Sequence, residues 1–191
     1  MEYRKISESE VTITELMVPT YTNFGGKVHG GYLLSLMDNV AYVCATKHSK
    51  AYCVTVAVEG VEFLSPVEVG DLLVVKASIN YIGNSTMIIG MRIECENPKT
   101  GKITHTNSCY FTMLAKDEQG NHLAVPGLLL ENEKQLRRFC EAKRLKDFSK
   151  QNELYISSGG QSGSTSIGVE LEGIEKLLQK VSGKININFK K

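Results

Sequence analysis

The sequence has no surplus of charge of either sign: 22 Lys+Arg stand against 21 Asp+Glu, a formal net charge of +1. Proteins that grip duplex nucleic acid carry a basic excess to neutralise phosphates, so nucleic acid is excluded as an expected partner. No uninterrupted apolar run approaches the ~18–20 residues of a membrane span. The opening MEYRKISESE contains no apolar core of a secretory signal. The five cysteines (Cys44, Cys53, Cys95, Cys109 and Cys140) are dispersed, with no CxxC pair among them. Odd in number and set in apolar surroundings, they read as reduced thiols of a cytoplasmic protein. No His, Cys, Asp or Glu cluster has the spacing of zinc ligands, so no metal is expected. Glycine pairs occur at Gly25-Gly26 and Gly30-Gly31, but neither runs into the Gly-Lys-Ser/Thr ending of a phosphate loop.

What is present suits a globular protein: 191 residues, 42% hydrophobic and 23% charged. That is one domain of ordinary size with a remainder. The division falls at 157–168, SSGGQSGSTSIG, which has the composition of a flexible linker. Beyond it, Val169, Leu171, Ile174, Leu178 and Val181 recur at helical steps over 169–182, and KININF (184–189) alternates as a short strand would. A tail of about 35 residues cannot bury a core alone. It must dock, pair with a copy of itself, or remain mobile.

Residues 1–156 read as strand, helix, a run of strands, then helix. VTITELMV (11–18) is β-branched and stops at Pro19. From Gly31 to His48 apolar residues surround the helical wheel, which predicts burial on most sides. Strands are expected over 53–59, 72–82, 85–95 and 103–115, joined by short Gly- and Asn-bearing turns. The apolar parity changes after Gly60, which suggests a bulge or sharp bend there. Short turns between consecutive strands imply an antiparallel sheet. With one mostly buried helix, the expected class is α+β, a curved sheet wrapped around that helix. A polar helix over 131–150 lies outside it, with seven Lys/Arg against four acids.

The stretch that carries chemistry is Asn23-Phe24-Gly25-Gly26-Lys27-Val28-His29-Gly30-Gly31, continuing through Met37 to Asp38. Asp38 interrupts the most apolar helix, where an unpaired carboxylate is costly and must be solvated or used. His29-Gly30-Gly31 opens that helix. Glycines admit close approach of a ligand, and first-turn N–H groups at the positive helix end can stabilise an oxyanion. Asn23, on the loop leading in, can hold a water or a carbonyl. His29 on its own reads as a packing or capping residue.

Gly31 and Asp38 lie about 10 Å apart along one helix axis. Groups acting on one atom must lie within ~3 Å of it. If both act on the same carbonyl, they come from two chains, and the minimal active unit is a two-fold homodimer with mixed sites.

These residues, with Val54-Thr55-Val56-Ala57-Val58 and Phe63-Leu64-Ser65-Pro66-Val67-Glu68-Val69-Gly70-Asp71, resemble the hotdog-fold acyl-CoA thioesterases. The group most similar is the bacterial acyl-CoA hydrolases, which are related to the animal cytosolic and brain enzymes. The resemblance covers roughly residues 10–150, and its later part includes Val125-Pro126 and the Glu/Arg-rich helix around Glu133 to Arg144. It implies a hotdog fold, a dimer with a continuous sheet, and assembly as a trimer of dimers. It implies hydrolysis of acyl-CoA to fatty acid and CoA, with no cofactor beyond the CoA of the substrate.

Carried over by position, Asp38 is the catalytic carboxylate, acting as general base or nucleophile, Asn23 works with it across the dimer, and Gly30 and Gly31 supply helix-start donors for an oxyanion hole. His29, Thr55, Phe63, Asn84 and Ser85 fall where substrate or CoA is contacted. Arg137 and Arg138, in the basic helix, are candidates for CoA phosphates. Two other classes stay open at this point: a hotdog hydratase or dehydratase, and a non-catalytic acyl-CoA sensor.

Overall fold

The computed structural model describes residues 2–157 and 185–187. Its strands and helices follow in the order β1 (Tyr3–Lys5), β2 (Val11–Leu16), α1 (Gly30–Ser49), β3 (Tyr52–Glu59), β4 (Leu72–Ile82), β5 (Thr86–Glu96), β6 (Ile103–Lys116), β7 (Gly127–Leu130), α2 (Glu133–Ser157) and β8 (Ile185–Ile187). Five strands form one antiparallel sheet in the order β2-β4-β5-β6-β3. The β4–β5–β6 meander is local: each strand turns directly into the next. At the β5–β6 turn, Asn97 Oδ1 accepts from the N–H of Lys99 and Thr100, both at 3.1 Å, and Gly101 adopts φ +69°. A side chain would strain that left-handed backbone.

α1 packs on the inner face of this sheet. The helix begins at the His29 cap and ends at Lys50, whose φ of 58° is left-handed. Leu33, Met37, Val40, Ala41, Cys44, Ala45 and His48 form its buried stripe at steps of three and four residues. The expectation of burial on most sides is corrected here. In the single chain Leu34, Tyr42 and Val43 are exposed, because the sheet covers only one side of the helix.

α2 covers part of the outer face, with Phe139 packed on Tyr81 at a ring distance of 5.2 Å and Ala142 buried. Enclosure on both sides explains why Ala77 to Ile82 is an unbroken buried run that ignores the usual alternation. Of the bulge or sharp bend expected at Gly60, the structure has the bend. β3 ends at Glu59 and Gly60 turns the chain away with φ +66°. The bulge falls earlier, where the β3–β6 register shifts between Thr55 and Ala57.

β1, β7 and β8 make a second, parallel sheet in which Ile185–Ile187 pairs with Leu128–Leu130. Part of the KININF segment thus docks on the main body. The Ser/Gly stretch from 158 and the helix expected over 169–182 lie outside the described residues. Ser157, read as the first linker residue, is the last residue of α2. No helix among the described residues is long and apolar enough to cross a membrane.

Candidate active site

Two structural devices build the site: the start of α1 and the bulged edge strand beside it. At the helix start, the His29 N–H donates to the Tyr21 carbonyl at 2.7 Å, which anchors the loop end. The His29 ring then turns back, and its Nδ1 accepts the Gly31 N–H at 2.9 Å. This is helix capping, with an imidazole in the role usually taken by Ser, Thr, Asp or Asn. The fit requires glycine: a Cβ on Gly31 would sit 2.9 Å from the ring atoms of His29. Over Gly30 lies the Phe63 ring, 3.5 Å from where a Cβ would be. The Gly30 N–H has no partner among the described residues, whereas that of Gly31 is engaged by His29. The expectation that both amides stand free is therefore corrected.

The loop leading in is folded by Asn23. Its side-chain oxygen accepts from the N–H of Gly25 at 2.9 Å and of Lys27 at 3.3 Å, and its own N–H donates to the Lys27 carbonyl at 2.7 Å. This leaves the carboxamide N–H groups as the donors Asn23 can offer outward. The loop is pinned from below by a clamp that sequence reasoning missed. The rings of Tyr21 and Tyr32 stack with centroids 3.8 Å apart, and the Tyr32 hydroxyl donates to Glu15 of β2. Burial, then the bond to Glu15, holds the Tyr32 phenol well above its ordinary pKa, so it remains a donor. No periodic signal links Glu15, Tyr21 and Tyr32; only the tertiary fold brings them together.

Asp38 lies two turns into α1 and is half-buried. It is not the unpaired buried carboxylate the sequence suggested. The Thr55 hydroxyl of β3 donates to Asp38 Oδ1 at 2.5 Å and also lies 3.2 Å from Met113 Sδ. The β3 bulge places Thr55 opposite Met113 and moves the following residue out of register, as bulges beside active sites commonly do.

Asp38, Thr55 and the helix start share one side of the chain, while other expected contacts sit elsewhere. Asn84 and Ser85 form the β4–β5 turn, their carbonyls accepting from Val125 and Ala115, each at 2.9 Å. By register this turn is two strands from Thr55 and two residues beyond its row, roughly 10–12 Å away at ordinary strand spacings. The turn is stapled to α2 by Lys146, whose Nζ donates to Thr86 Oγ1 at 3.1 Å and lies 5.1 Å from the Tyr81 ring centroid. Arg137 and Arg138 line a groove of about 570 Å³ between α2 and the outer sheet face, with Lys76, Arg92, Glu94 and Tyr110 among its walls. Lys76 and Arg92 both bond Glu94 and hold its carboxyl below the usual range. Within one chain, then, the two arginines are on the opposite side of the sheet from Asp38. Among the described residues no group of three His, Cys, Asp or Glu is placed to hold a metal.

The sequence pattern of the thioesterase superfamily matches residues 25–102. The protein VdlD of Helicobacter pylori is 42% identical over 155 residues, covering 81% of this chain and 87% of VdlD. The human cytosolic acyl coenzyme A thioester hydrolase is 28% identical over 144 residues, covering 74% of this chain but only 38% of that longer protein.

Among solved structures, an apo-hexameric acyl-CoA thioesterase superposes with a TM-score of 0.78 at 29% identity, covering 80% of this chain and 98% of that one. An acyl-CoA hydrolase from Staphylococcus aureus, solved with butyryl coenzyme A and coenzyme A, gives 0.73 at 28% identity, covering 83% and 99%. That hydrolase has also been solved with alanine in place of an Asn, an Asp and a Thr. These lie at intervals of 15 and 17 residues, the intervals that separate Asn23, Asp38 and Thr55 here.

Proposed function

The chain belongs to the thioesterase superfamily, and from that premise we propose that it hydrolyses acyl-CoA thioesters to a free acid and coenzyme A. The observation that carries this reading is the Thr55 hydroxyl bonded to Asp38 at 2.5 Å, on a helix that opens with two glycines. Support comes from the matching Asn, Asp and Thr intervals in the S. aureus hydrolase.

The proposed chemistry follows from the residues. A helix-start N–H donates to the thioester oxygen as negative charge develops there. Asp38 takes a proton from water as the water oxygen bonds to the carbonyl carbon. The tetrahedral adduct collapses, the carbon–sulfur bond breaks, and the CoA thiolate recovers the proton. In the alternative route Asp38 itself attacks the carbonyl carbon, the carbon–sulfur bond breaks to release the CoA thiolate, and water then opens the resulting acyl anhydride. Asn23 orients the water or the carbonyl through its outward amide. Thr55 occupies one carboxylate oxygen, which leaves the other for the reaction. No cofactor is needed beyond the CoA of the substrate.

Two chains are needed to assemble such a site. About 10 Å of helix separates Gly31 from Asp38 in one chain. The α1 side chains Leu34, Tyr42 and Val43 are exposed, as are Tyr52, Val56 and Val58 on the edge strand β3. A two-fold partner would cover this apolar surface, pair β3 with β3, and bring its Asp38 to the helix start. Trimerisation of such dimers accords with the hexameric neighbour, and Arg137 and Arg138 would then reach CoA only from another subunit. Reduced thiols, all five of them free, suit the cytoplasm.

Release of CoA from a panel of acyl-CoAs tests the activity. Single turnover in H₂¹⁸O bears on the route: label in the Asp38 carboxylate excludes direct attack by water, since only an anhydride opened at the Asp38 carbonyl carbon places it there. An Asp38→Asn variant with wild-type turnover would exclude both.

A further inference from the structure

We infer that the His29 imidazole occupies, in the unliganded protein, the place that the thioester oxygen takes at Gly31, and that substrate displaces it. The inference rests on the hydrolase reading above and adds a residue role to it.

Three observations carry it. First, Nδ1 of His29 accepts the Gly31 N–H at 2.9 Å, which is the contact an oxyanion would make there. One N–H donates well to one acceptor, so ring and substrate oxygen compete. Second, the space a Cβ of Gly31 would fill is taken by the ring itself, with its Cε1 and Nδ1 both at 2.9 Å. The approach that glycine opens is closed by the chain's own side chain. Third, His29 is exposed and its anchoring bond to the Tyr21 carbonyl is made by the backbone. The ring can therefore swing about its side-chain torsions while the helix start stays fixed. Phe63 covers Gly30 in a parallel manner and is 46% exposed, so both glycines lie under rings with solvent beside them.

Displacing the ring costs one helix cap. His29 is thus a positioning residue that tunes affinity for the carbonyl, and it holds no reacting atom. Removing the acceptor should improve binding of ligands that bring their own oxygen and leave other ligands unaffected.

The test compares two stable CoA analogues by calorimetry: a ketone, with a methylene between sulfur and carbonyl, and a thioether with no carbonyl. For His29→Ala, the preference for ketone over thioether is expected to rise about fivefold, the equivalent of one cap. His29→Asn, which keeps an acceptor, should stay within about twofold of wild type. His29→Phe keeps a ring without an acceptor and should follow alanine, so the outcome survives poor folding of either single variant. An unchanged or lowered preference in both acceptor-free variants overturns the inference. Wild-type protein that binds neither analogue and releases no CoA overturns the hydrolase reading, and this inference with it. An active wild type with an unmoved preference sinks this inference alone.

Discussion

The hydroxyl of Thr55 donates to the carboxylate of Asp38 at 2.5 Å, joining the edge strand β3 to the middle of the central helix. A hydrogen bond to a charged group is worth about 1.5–3 kcal/mol. Here it fixes one oxygen of Asp38 and therefore the direction of the other. Thr55→Val is expected to lower kcat about 10- to 100-fold with a smaller change in KM. Thr55→Ser, which keeps the donor, should stay within about threefold of wild type. Steady-state kinetics on one acyl-CoA checks both, and equal kcat for Val and wild type would remove Thr55 from the site.

Gly90 of β5 makes room for Asn80 across the outer face. A Cβ there would lie 2.1 Å from Asn80 Nδ2 and 2.8 Å from its Cγ. Asn80 is only 5% exposed, and its side-chain oxygen accepts from Ser78 Oγ at 3.0 Å. Gly90→Ala must push this buried amide off its partner. We expect a loss of about 2 kcal/mol from overpacking and an unmade hydrogen bond, seen as a Tm lower by roughly 4–8 °C. A Tm within about 1 °C of wild type would show that Asn80 has another place to go.

His48, near the end of α1, is fully buried; its Nε2 donates to the Pro126 carbonyl at 3.1 Å and its Nδ1 has no partner among the described residues. Burial is the main cause that lowers its pKa below the ordinary 6.5, with the Arg4 charge adding to it. The unfolded chain therefore binds the proton more readily than the folded one. Stability from this group is complete above about pH 6.5 and is lost as pH falls from there toward the folded pKa. His48→Gln should show a flatter Tm between about pH 7 and pH 5 than wild type. A parallel decline in the two proteins would assign the acid sensitivity to other groups.

All five cysteines are buried. Burial raises the thiols of Cys44, Cys95 and Cys109 to about 12, and those of Cys53 and Cys140 also lie above the ordinary value. Thiolate, the reactive form, is then scarce near neutral pH. Native protein should consume almost no thiol-reactive dye within minutes, and denatured protein should consume five equivalents. Rapid labelling of the native chain would reveal local opening of the sheet. The same reagent can report CoA release without background from the enzyme.

Periodicity made much of the fold legible. The strands β4, β5 and β6 and the helix α1 lie within one or two residues of where apolar spacing and turn residues put them. Capping by His29 was also readable, since a polar side chain just before Gly30-Gly31 has few other roles. What stayed hidden depends on pairing between distant segments. The Asp38–Thr55 bond needs both the β3 bulge and the crossing of α1 over β3, and neither is written in local spacing. The Glu15–Tyr32–Tyr21 clamp joins residues with no common period. The basic residues of α2 could be counted, but not which face of the sheet Arg137 and Arg138 would meet. Burial of α1 was overestimated because an apolar wheel does not say whether its second side faces the same chain or another.

The five-stranded sheet ends in two unlike borders. At β3 the exposed side chains are Thr55 and the apolar Tyr52, Val56 and Val58, whereas β2 shows Thr12 and Thr14 before Leu16, its last residue. An adhesive border that meets only its own copy is used up by a single encounter, and the polar border offers no second ledge for growth. Lateral stacking into a filament is thereby self-limiting, so high concentrations should yield finite particles of fixed size, not fibres.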